Sequence, residues 1–355
     1  MRSVFEDIVV VDLTREFWSA TAAAMLGDLG ATVVRAASAE ALGGTPLAEG
    51  DEAARANLAA LANRNKRLVA LDPERSDQRE ALLELVAAAD VLLTDRGAVE
   101  RADGGLDEES LRRSNPSLIY AVASGFGPSG PDSELPALDE LAAARTGMMP
   151  ILGQPGQPPV YPGHGQMYTT VMLALSVAVA LWHRRLTGEA QRVDASLLAG
   201  NMYGASLDLQ AFLAMGGGRF LEAVDRMDAG NPMSGTMYRS RDGRWVTLTM
   251  PDTGRYWAAF SELVGIDSAD ERFDSHEKRC GESRLELMRE LEAAFAARDA
   301  AHWRGEFNRL QLSADVVEDY SYPVGDGAAR ANRYLLRAGG EEGLEYDSIG
   351  FPIHM

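Results

Sequence analysis

The sequence predicts an α/β fold in which a large domain with a doubly wound parallel sheet precedes a smaller α+β domain. Short β-branched runs alternate with Ala- and Leu-rich helical segments through the first 125 residues, starting with an apolar run at 8–13 and a helical pattern at 16–29. Continuous apolar runs are typical of buried parallel strands, and their alternation with helices indicates a doubly wound sheet. A hairpin pattern appears only later, at 236–250, around an Asp242-Gly243 turn.

The other elements of the large domain follow in order along the chain. Further strands are predicted at 31–35, 67–71, 90–94 and 117–123. Further helices are predicted at 76–89, at 167–186 and from 193 to about 214. Loops are predicted at 40–52 and 125–136, where Gly, Pro and charged residues are frequent. Beyond the hairpin, 254–310 is mostly helical and 350–355 resembles a strand.

Composition limits the classes of partner. The net charge of −19 repels phosphate backbones and anionic lipid, so neither nucleic acid nor a membrane surface is an expected partner. The single cysteine allows no internal disulfide, which favours a cytoplasmic location. The N-terminus has no apolar leader, and the longest apolar stretch, 171–182, is too short to span a bilayer.

Two common kinds of cofactor are not expected. The first β–α turn, 12–16, contains no glycine, so the fingerprint of NAD- and FAD-binding proteins is absent. The five histidines show no metal-ligand spacing, so no metal site is predicted.

Several segments, taken in their order along the chain, resemble the family III CoA transferases. This group includes formyl-CoA transferase, carnitine CoA transferase and α-methylacyl-CoA racemase. The matching segments are 10–14, 23–31, 63–67, 115–120, 162–165 and 191–194. Together they span most of residues 8–250, and their order makes the match specific.

The resemblance implies a domain organisation and an oligomeric state. A Rossmann-like large domain would comprise 1–200, with 320–355 returning to it, and a small domain would comprise 225–315. Linkers would lie at 200–225 and 315–330, the first beside the glycines at 216–218. Family members form interlocked dimers, so the resemblance implies an interlocked dimer here.

The resemblance also implies a site for coenzyme A or an acyl-CoA. Since CoA is a polyanion and this chain is acidic, such a site must depend on a few local cations and backbone N–H groups. The positions that match the family's CoA site are Arg35, Asn63, Asn65, Lys66, Arg67 and Arg101. In the loop after the fourth strand, Asp95 and Arg96 replace the family's usual residues, and the loop is shorter.

The resemblance fails at the family's catalytic position. There an Asp attacks the thioester and carries the acyl group as an anhydride, whereas this chain has Gln166, whose carboxamide is neutral and weakly nucleophilic. The remaining candidate catalytic residues are Asp139, Glu140 and His164. Asp139 and Glu140 could instead stabilise a helix N-terminus, and His164 could belong to a plain loop.

Three functions remain open at this point. The chain could be a divergent subunit that lacks the nucleophile and pairs with a catalytic paralogue. It could be an active acyl-CoA transferase or isomerase with a reworked site at Asp139, Glu140 or His164. It could also be a non-catalytic homodimer that binds acyl-CoA. A small carboxylic acid is the expected second substrate in the first two cases.

Overall fold

The computed structural model describes residues 3–42, 52–96, 105–217, 221–339 and 345–353. Contacts group the chain into two compact units. The large unit comprises Met1–Leu152, Pro159–Leu221 and Arg333–Met355, and the small unit comprises Gly153–Pro158 and Glu222–Asn332. The chain passes from the large unit to the small one between Leu221 and Glu222, within the stretch 200–225, and returns after Asn332, just beyond 315–330. Both stretches contain helices.

A parallel sheet of six strands lies at the centre of the large unit and confirms the predicted doubly wound architecture. Its spatial order is β3-β2-β1-β4-β5-β6. The strands are β1 (Val9–Asp12), β2 (Thr32–Ala37), β3 (Lys66–Ala70), β4 (Val91–Asp95), β5 (Ile119–Ser124) and β6 (Arg192–Ser196). The strand order reverses between β1 and β4, and ligands of such sheets bind beyond the carboxyl ends of the strands at this point.

Both faces of the sheet are covered by apolar packing. Val10 pairs with Val33 on one side and Val91 on the other, and all three belong to one buried cluster. Val11 and Leu92, one position further along their strands, belong to a second cluster. Successive strand residues point to opposite faces, so short apolar runs without alternation supply both cores.

Nine helices of the large unit are described. They are α1 (Phe17–Asp28), α2 (Ala39–Leu42), α3 (Glu52–Asn63), α4 (Arg79–Ala87), α5 (Glu108–Ser114), α6 (Asp139–Ala143), α7 (Gly165–Thr187), α8 (Leu197–Gly204) and α9 (Ser206–Met215). The helical run predicted from 193 is wrong at its start. Residues 192–196 instead pair in parallel with β5, because sheet hydrogen bonds there outweigh the weak local preference.

Helix α7 is the longest described helix. It ends at Gly188, whose φ of +80° suits the left-handed C-cap position. Its inward face includes Leu173, Val177 and Leu181. By length and mean hydropathy α7 could cross a membrane, and less than half of its most apolar stretch is buried. The expectation that this apolar segment is too short to span a bilayer is therefore wrong by length alone, because the helix extends beyond 171–182 on both sides.

The small unit confirms the predicted hairpin. Strands β7 (Ser234–Arg239), β8 (Trp245–Thr249) and β9 (Ala314–Val316) form an antiparallel sheet, and Gly243 in the hairpin turn has a φ of +84°. The helices are α10 (Thr253–Val264), α11 (His276–Cys280), α12 (Arg284–Ala296), α13 (Ala300–Leu310), α14 (Ser321–Gly325) and α15 (Gly327–Ala331).

The chain then returns to the large unit as an antiparallel pair of strands, β10 (Leu335–Gly339) and β11 (Glu345–Ile349). The strand predicted at 350–355 is wrong for its described part, because β11 ends at Ile349. Gly350 instead donates its backbone N–H to the Tyr334 carbonyl.

Candidate active site

Gln166 lies in the first turn of α7 and is half-buried. Its side chain makes no hydrogen bond with any described residue. Its backbone carbonyl accepts a hydrogen bond from the Thr170 hydroxyl at 2.8 Å. His164 is the N-cap residue of this helix, and its side chain makes no capping hydrogen bond. The uncapped N–H groups at this helix end give the surroundings of Gln166 a partial positive charge.

Close packing against two helices fixes the first turns of α7. A Cβ atom on Gly165 would lie 2.1 Å from the Asn201 carboxamide of α8, so any larger residue would displace that carboxamide. A Cβ atom on Gly200 would lie 1.9 Å from the Thr169 hydroxyl oxygen. On the other side, the single proton of the Thr170 hydroxyl is shared between the Gln166 carbonyl and the backbone carbonyl of Trp18 in α1, which lies 2.9 Å away. These contacts hold the first turns of α7 in place, and with them the backbone of Gln166.

Asp139 is held beside this helix end by two side-chain donors. Its Oδ2 accepts from the Tyr161 hydroxyl at 2.6 Å, and its Oδ1 accepts from Asn201 Nδ2 at 2.8 Å. Asn201 also donates to the Leu197 carbonyl at 2.9 Å, which fixes its carboxamide. Since Asn201 touches Gly165, one side chain separates the Asp139 carboxylate from the start of α7.

The bonding of Asp139 bears on its two possible roles. It is the first residue of α6, as the sequence predicts, but Leu138 is the N-cap residue and makes no side-chain cap. The two hydrogen bonds of the carboxylate come from Tyr161 and Asn201, outside α6. The contacts therefore place Asp139 in a polar cluster with these two residues, in addition to any effect of its charge on the helix.

Tyr161 acts in this cluster as a hydrogen-bond donor. Burial raises its pKa well above the ordinary range, and the hydrogen bond to Asp139 and the charges of Asp139 and Glu140 raise it further. The phenol therefore stays protonated at neutral pH. Tyr161 and Asn201 were missed by the sequence analysis, because neither position carries a motif and their meeting with Asp139 depends on the fold.

Glu140 and His164 are placed differently. Both are exposed, and neither side chain makes a hydrogen bond with a described residue. The structure therefore joins Asp139 to the start of α7, while Glu140 and His164 stand at the surface without such contacts.

Arg35 lies at a second, cationic location on β2. Its side chain is buried, and Nη1 donates to Asn63 Oδ1 at 2.6 Å. Arg35 lines a cavity of about 270 Å³ at the carboxyl ends of β1 and β2, together with Thr14 and Arg15. Its Nε is buried without a hydrogen-bond partner among the described residues. An acceptor oxygen of an anionic ligand would satisfy that N–H group.

Lys66, in contrast, is used inside the protein. Its Nζ lies 2.6 Å from Asp12 Oδ2 and 2.7 Å from the Ala20 carbonyl, and both charged side chains are fully buried. Burial lowers the pKa of Lys66, and the charge of Asp12 offsets part of that shift. Asn65 and Arg67 beside it are exposed.

Asp95 occupies the N-terminal end of α1. Its carboxylate accepts the backbone N–H groups of Arg15 and Glu16 at 2.5 and 3.0 Å and the Ser19 hydroxyl at 2.6 Å. Burial raises the pKa of Asp95, and these hydrogen bonds oppose the rise. A helix N-terminus of this kind commonly binds a ligand phosphate, and here the protein's own carboxylate is bound to it.

Arg96 follows at the end of β4. Its Nη1 donates to the Gly127 carbonyl at 3.0 Å, and its Nη2 forms an ion pair with Glu134 at 2.7 Å. Both charged residues line a cavity of about 480 Å³ at the carboxyl ends of β4 and β5. The remaining predicted cation, Arg101, lies outside the described residues.

No group of three His, Cys, Asp or Glu side chains in the described ranges is arranged to hold a metal ion. The candidate ligand-binding features of the described chain are thus the Arg35 cavity, the Arg96 cavity and the Asp139 cluster beside Gln166, all in the large unit.

Comparisons with known proteins match nearly the whole chain to one family. The family model for CoA-transferase family III matches residues 5–355. The cinnamoyl-CoA:phenyllactate CoA-transferase of Clostridium sporogenes is 27% identical over 363 aligned positions, which cover 99% of this chain and 87% of that protein.

A second relative and a solved structure extend this result. The succinyl-CoA–L-malate CoA-transferase alpha subunit of Chloroflexus aurantiacus is 27% identical over 361 aligned positions, covering 97% of this chain and 79% of that protein. The crystal structure of a CAIB/BAIF family protein from Brucella suis superposes with a TM-score of 0.85 at 25% identity, covering 100% of this chain and 93% of that one.

Proposed function

Because this chain belongs to CoA-transferase family III, we propose that it binds acyl-CoA but lacks the covalent transfer step and works as a subunit paired with a catalytic paralogue. The observation that carries this proposal is Gln166. It occupies the first turn of α7, at the position that the resemblance aligns with the nucleophilic Asp.

The chemistry of the transfer step explains why this residue matters. A carboxylate attacks the carbonyl carbon of the thioester, the C–S bond breaks, CoA leaves as its thiolate, and an acyl anhydride remains on the enzyme. The lone pair of an amide nitrogen is delocalised into its carbonyl, so Gln166 does not attack. It can still donate an N–H group to the carbonyl oxygen of a bound thioester.

The large unit retains features suited to an acyl-CoA ligand. Arg35 offers an N–H group in its cavity that has no acceptor among the described residues, which suits a phosphate oxygen. Asp139 is held by Tyr161 and Asn201, and both of its oxygens already accept hydrogen bonds. Such bonding lowers the nucleophilicity of a carboxylate, so the geometry favours binding over turnover.

An exposed apolar stripe on α7 supports the proposal that this chain pairs with a partner subunit. Its residues recur every three or four positions, so they share one face of the helix opposite the buried one. They are Tyr168, Val171, Leu175, Val179, Trp182 and Leu186, each about half exposed or more. A contiguous apolar surface of this kind is typical of a protein interface, and the Chloroflexus relative is named as an alpha subunit.

Restoring the carboxylate tests the catalytic half of the proposal. The variant Gln166→Asp, incubated with an acyl-CoA, is expected to carry a covalent acyl or CoA adduct in intact-mass spectra. The wild type and the matched variant Gln166→Asn are expected to carry none. Absence of an adduct on Gln166→Asp across a panel of acyl-CoAs would show that residue 166 does not face the thioester.

A second function is favoured by the position of Asp139 beside the start of α7. In this alternative, Asp139 acts directly on the acyl-CoA, and the isolated wild-type chain transfers or isomerises acyl groups. Turnover by the wild type alone that disappears in Asp139→Asn would establish this function and contradict the proposed subunit role.

The partner half is tested by native mass spectrometry after co-expression with a family member that has Asp at the matching position. A heterodimer is expected, and Leu175→Lys in the stripe is expected to weaken it. Val324→Lys, an exposed apolar position in the small unit, serves as the matched control. Formation of homodimers alone would contradict the pairing.

A further inference from the structure

The Arg96–Glu134 ion pair joins two residues with different freedom to move. The Arg96 side chain is only 20% exposed, and its Nη1 is fixed on the Gly127 carbonyl at 3.0 Å. Gly127 is itself held, since its N–H donates to the Ser124 hydroxyl at 3.1 Å. The Glu134 side chain is 70% exposed.

Glu134 also has few other attachments. It lies in an irregular segment between β5 and α6. Among the described residues, its carboxylate accepts, besides the Arg96 bond, only a long hydrogen bond from the neighbouring Ser133 hydroxyl, at 3.3 Å. Ion pairs with an exposed partner change an equilibrium constant by roughly fivefold or less. Glu134 can therefore leave into solvent at small cost, while Arg96 stays in the cavity.

We propose that Glu134 is an internal stand-in for a ligand anion: its carboxylate occupies the Arg96 guanidinium, and a phosphate or carboxylate group of the ligand takes the same place when Glu134 swings into solvent. This inference rests on the proposed acyl-CoA ligand and adds a residue that competes with it. Arg96 is the anchor and Glu134 is the competitor.

The other charges in the cavity explain why the ligand must replace Glu134 instead of binding beside it. Asp95 and Glu16 line the same cavity of about 480 Å³. The Asp95 carboxylate is occupied by the first turn of α1, and Arg96 is the one cation among the described lining residues. A second anion next to Glu134 would be repelled by three carboxylates, whereas a ligand anion that replaces Glu134 is repelled by two.

The test removes only the competing charge. Glu134→Gln keeps the shape of the side chain and is expected to bind CoA roughly twofold to fivefold more tightly than the wild type in calorimetric titration. Glu109→Gln is the matched control, because Glu109 is 86% exposed in an ion pair with Arg113 on α5, away from this cavity. Both variants change the net charge equally, so Glu109→Gln is expected to bind as the wild type does.

The same titrations with inorganic pyrophosphate and with acetate identify the anionic group. A gain in Glu134→Gln for pyrophosphate assigns the site to the phosphates of CoA, and a gain for acetate assigns it to a small acid. Adding Arg96→Gln to Glu134→Gln is expected to remove the gain. Equal affinities of Glu134→Gln and Glu109→Gln for all three probes would overturn the inference.

These experiments distinguish a failure of the proposed function from a failure of the proposed competitor. If no variant binds CoA but Glu134→Gln gains affinity for acetate, the internal competitor stands and the acyl-CoA function falls. If the wild type binds CoA and Glu134→Gln matches its control, the function stands and the competitor falls.

Discussion

The contact between α7 and α8 should be the most sensitive packing point of the candidate site. Gly200 of α8 lies so close to α7 that an added Cβ would be 1.9 Å from the Thr169 hydroxyl oxygen, 2.9 Å from its Cβ and 3.1 Å from its Cα. The hydroxyl could rotate away, but the last two atoms move only with the backbone. Gly200→Ala must therefore separate the helices that carry Gln166 and Asn201.

The magnitude follows from two opposing effects. Overpacking a well-packed site costs about 1–3 kcal/mol, and a contact with backbone belongs at the upper end. Replacing glycine by alanine inside a helix returns about 1 kcal/mol. We therefore expect Gly200→Ala to destabilise α7 by about 2 kcal/mol. In hydrogen-exchange mass spectrometry this corresponds to roughly thirtyfold faster exchange of α7 amides.

Gly204→Ala is the matched control in the same helix. Its Cβ would meet only the ring of Tyr168, at 2.7 Å, and that ring belongs to a half-exposed side chain that can rotate away. We expect exchange in α7 to change little. Equal exchange rates in Gly200→Ala and Gly204→Ala would refute the reasoning, because the clash with the α7 backbone would then be absent in solution.

Three further outcomes follow from the polar contacts of the large unit. Asp139→Asn should lower the pKa of Tyr161 toward its ordinary 10.0, measured by alkaline absorbance titration, with Tyr161→Phe identifying the signal; an unchanged titration would contradict the hydrogen bond. Asp12→Asn leaves the Lys66 ammonium buried without its partner, so it should lower the urea midpoint by the equivalent of about 3 kcal/mol, and adding Lys66→Met should recover most of the loss. The pKa of Asp95 is raised above 3.8 in the folded state, so that state binds the proton more tightly than the unfolded state. The free energy of unfolding should therefore fall as pH rises from about 4 through the raised pKa of the folded state, and Asp95→Asn should flatten this slope.

The candidate site was only partly accessible from the sequence. Gln166 and Asp139 were found because they align with family positions that have known chemistry. Tyr161 and Asn201 were not found, because they lie 22 and 62 residues from Asp139 and meet it only in the folded chain. Glu134 escaped for the same reason, since its partner Arg96 is 38 residues away.

Local pattern by itself determined the parallel sheet, the hairpin and the long helix α7. Each of these has a continuous apolar run, a turn signal or a helical period, and such features are written in neighbouring residues. Strand β6 was decided by the tertiary structure, because a short half-exposed segment becomes a strand only when an open sheet edge beside it supplies hydrogen bonds. The roles of Lys66 and Asp95 were decided in the same way. The resemblance predicts both as ligand-binding positions, and in the folded chain each charged side chain also has an internal partner, because a buried charge requires one.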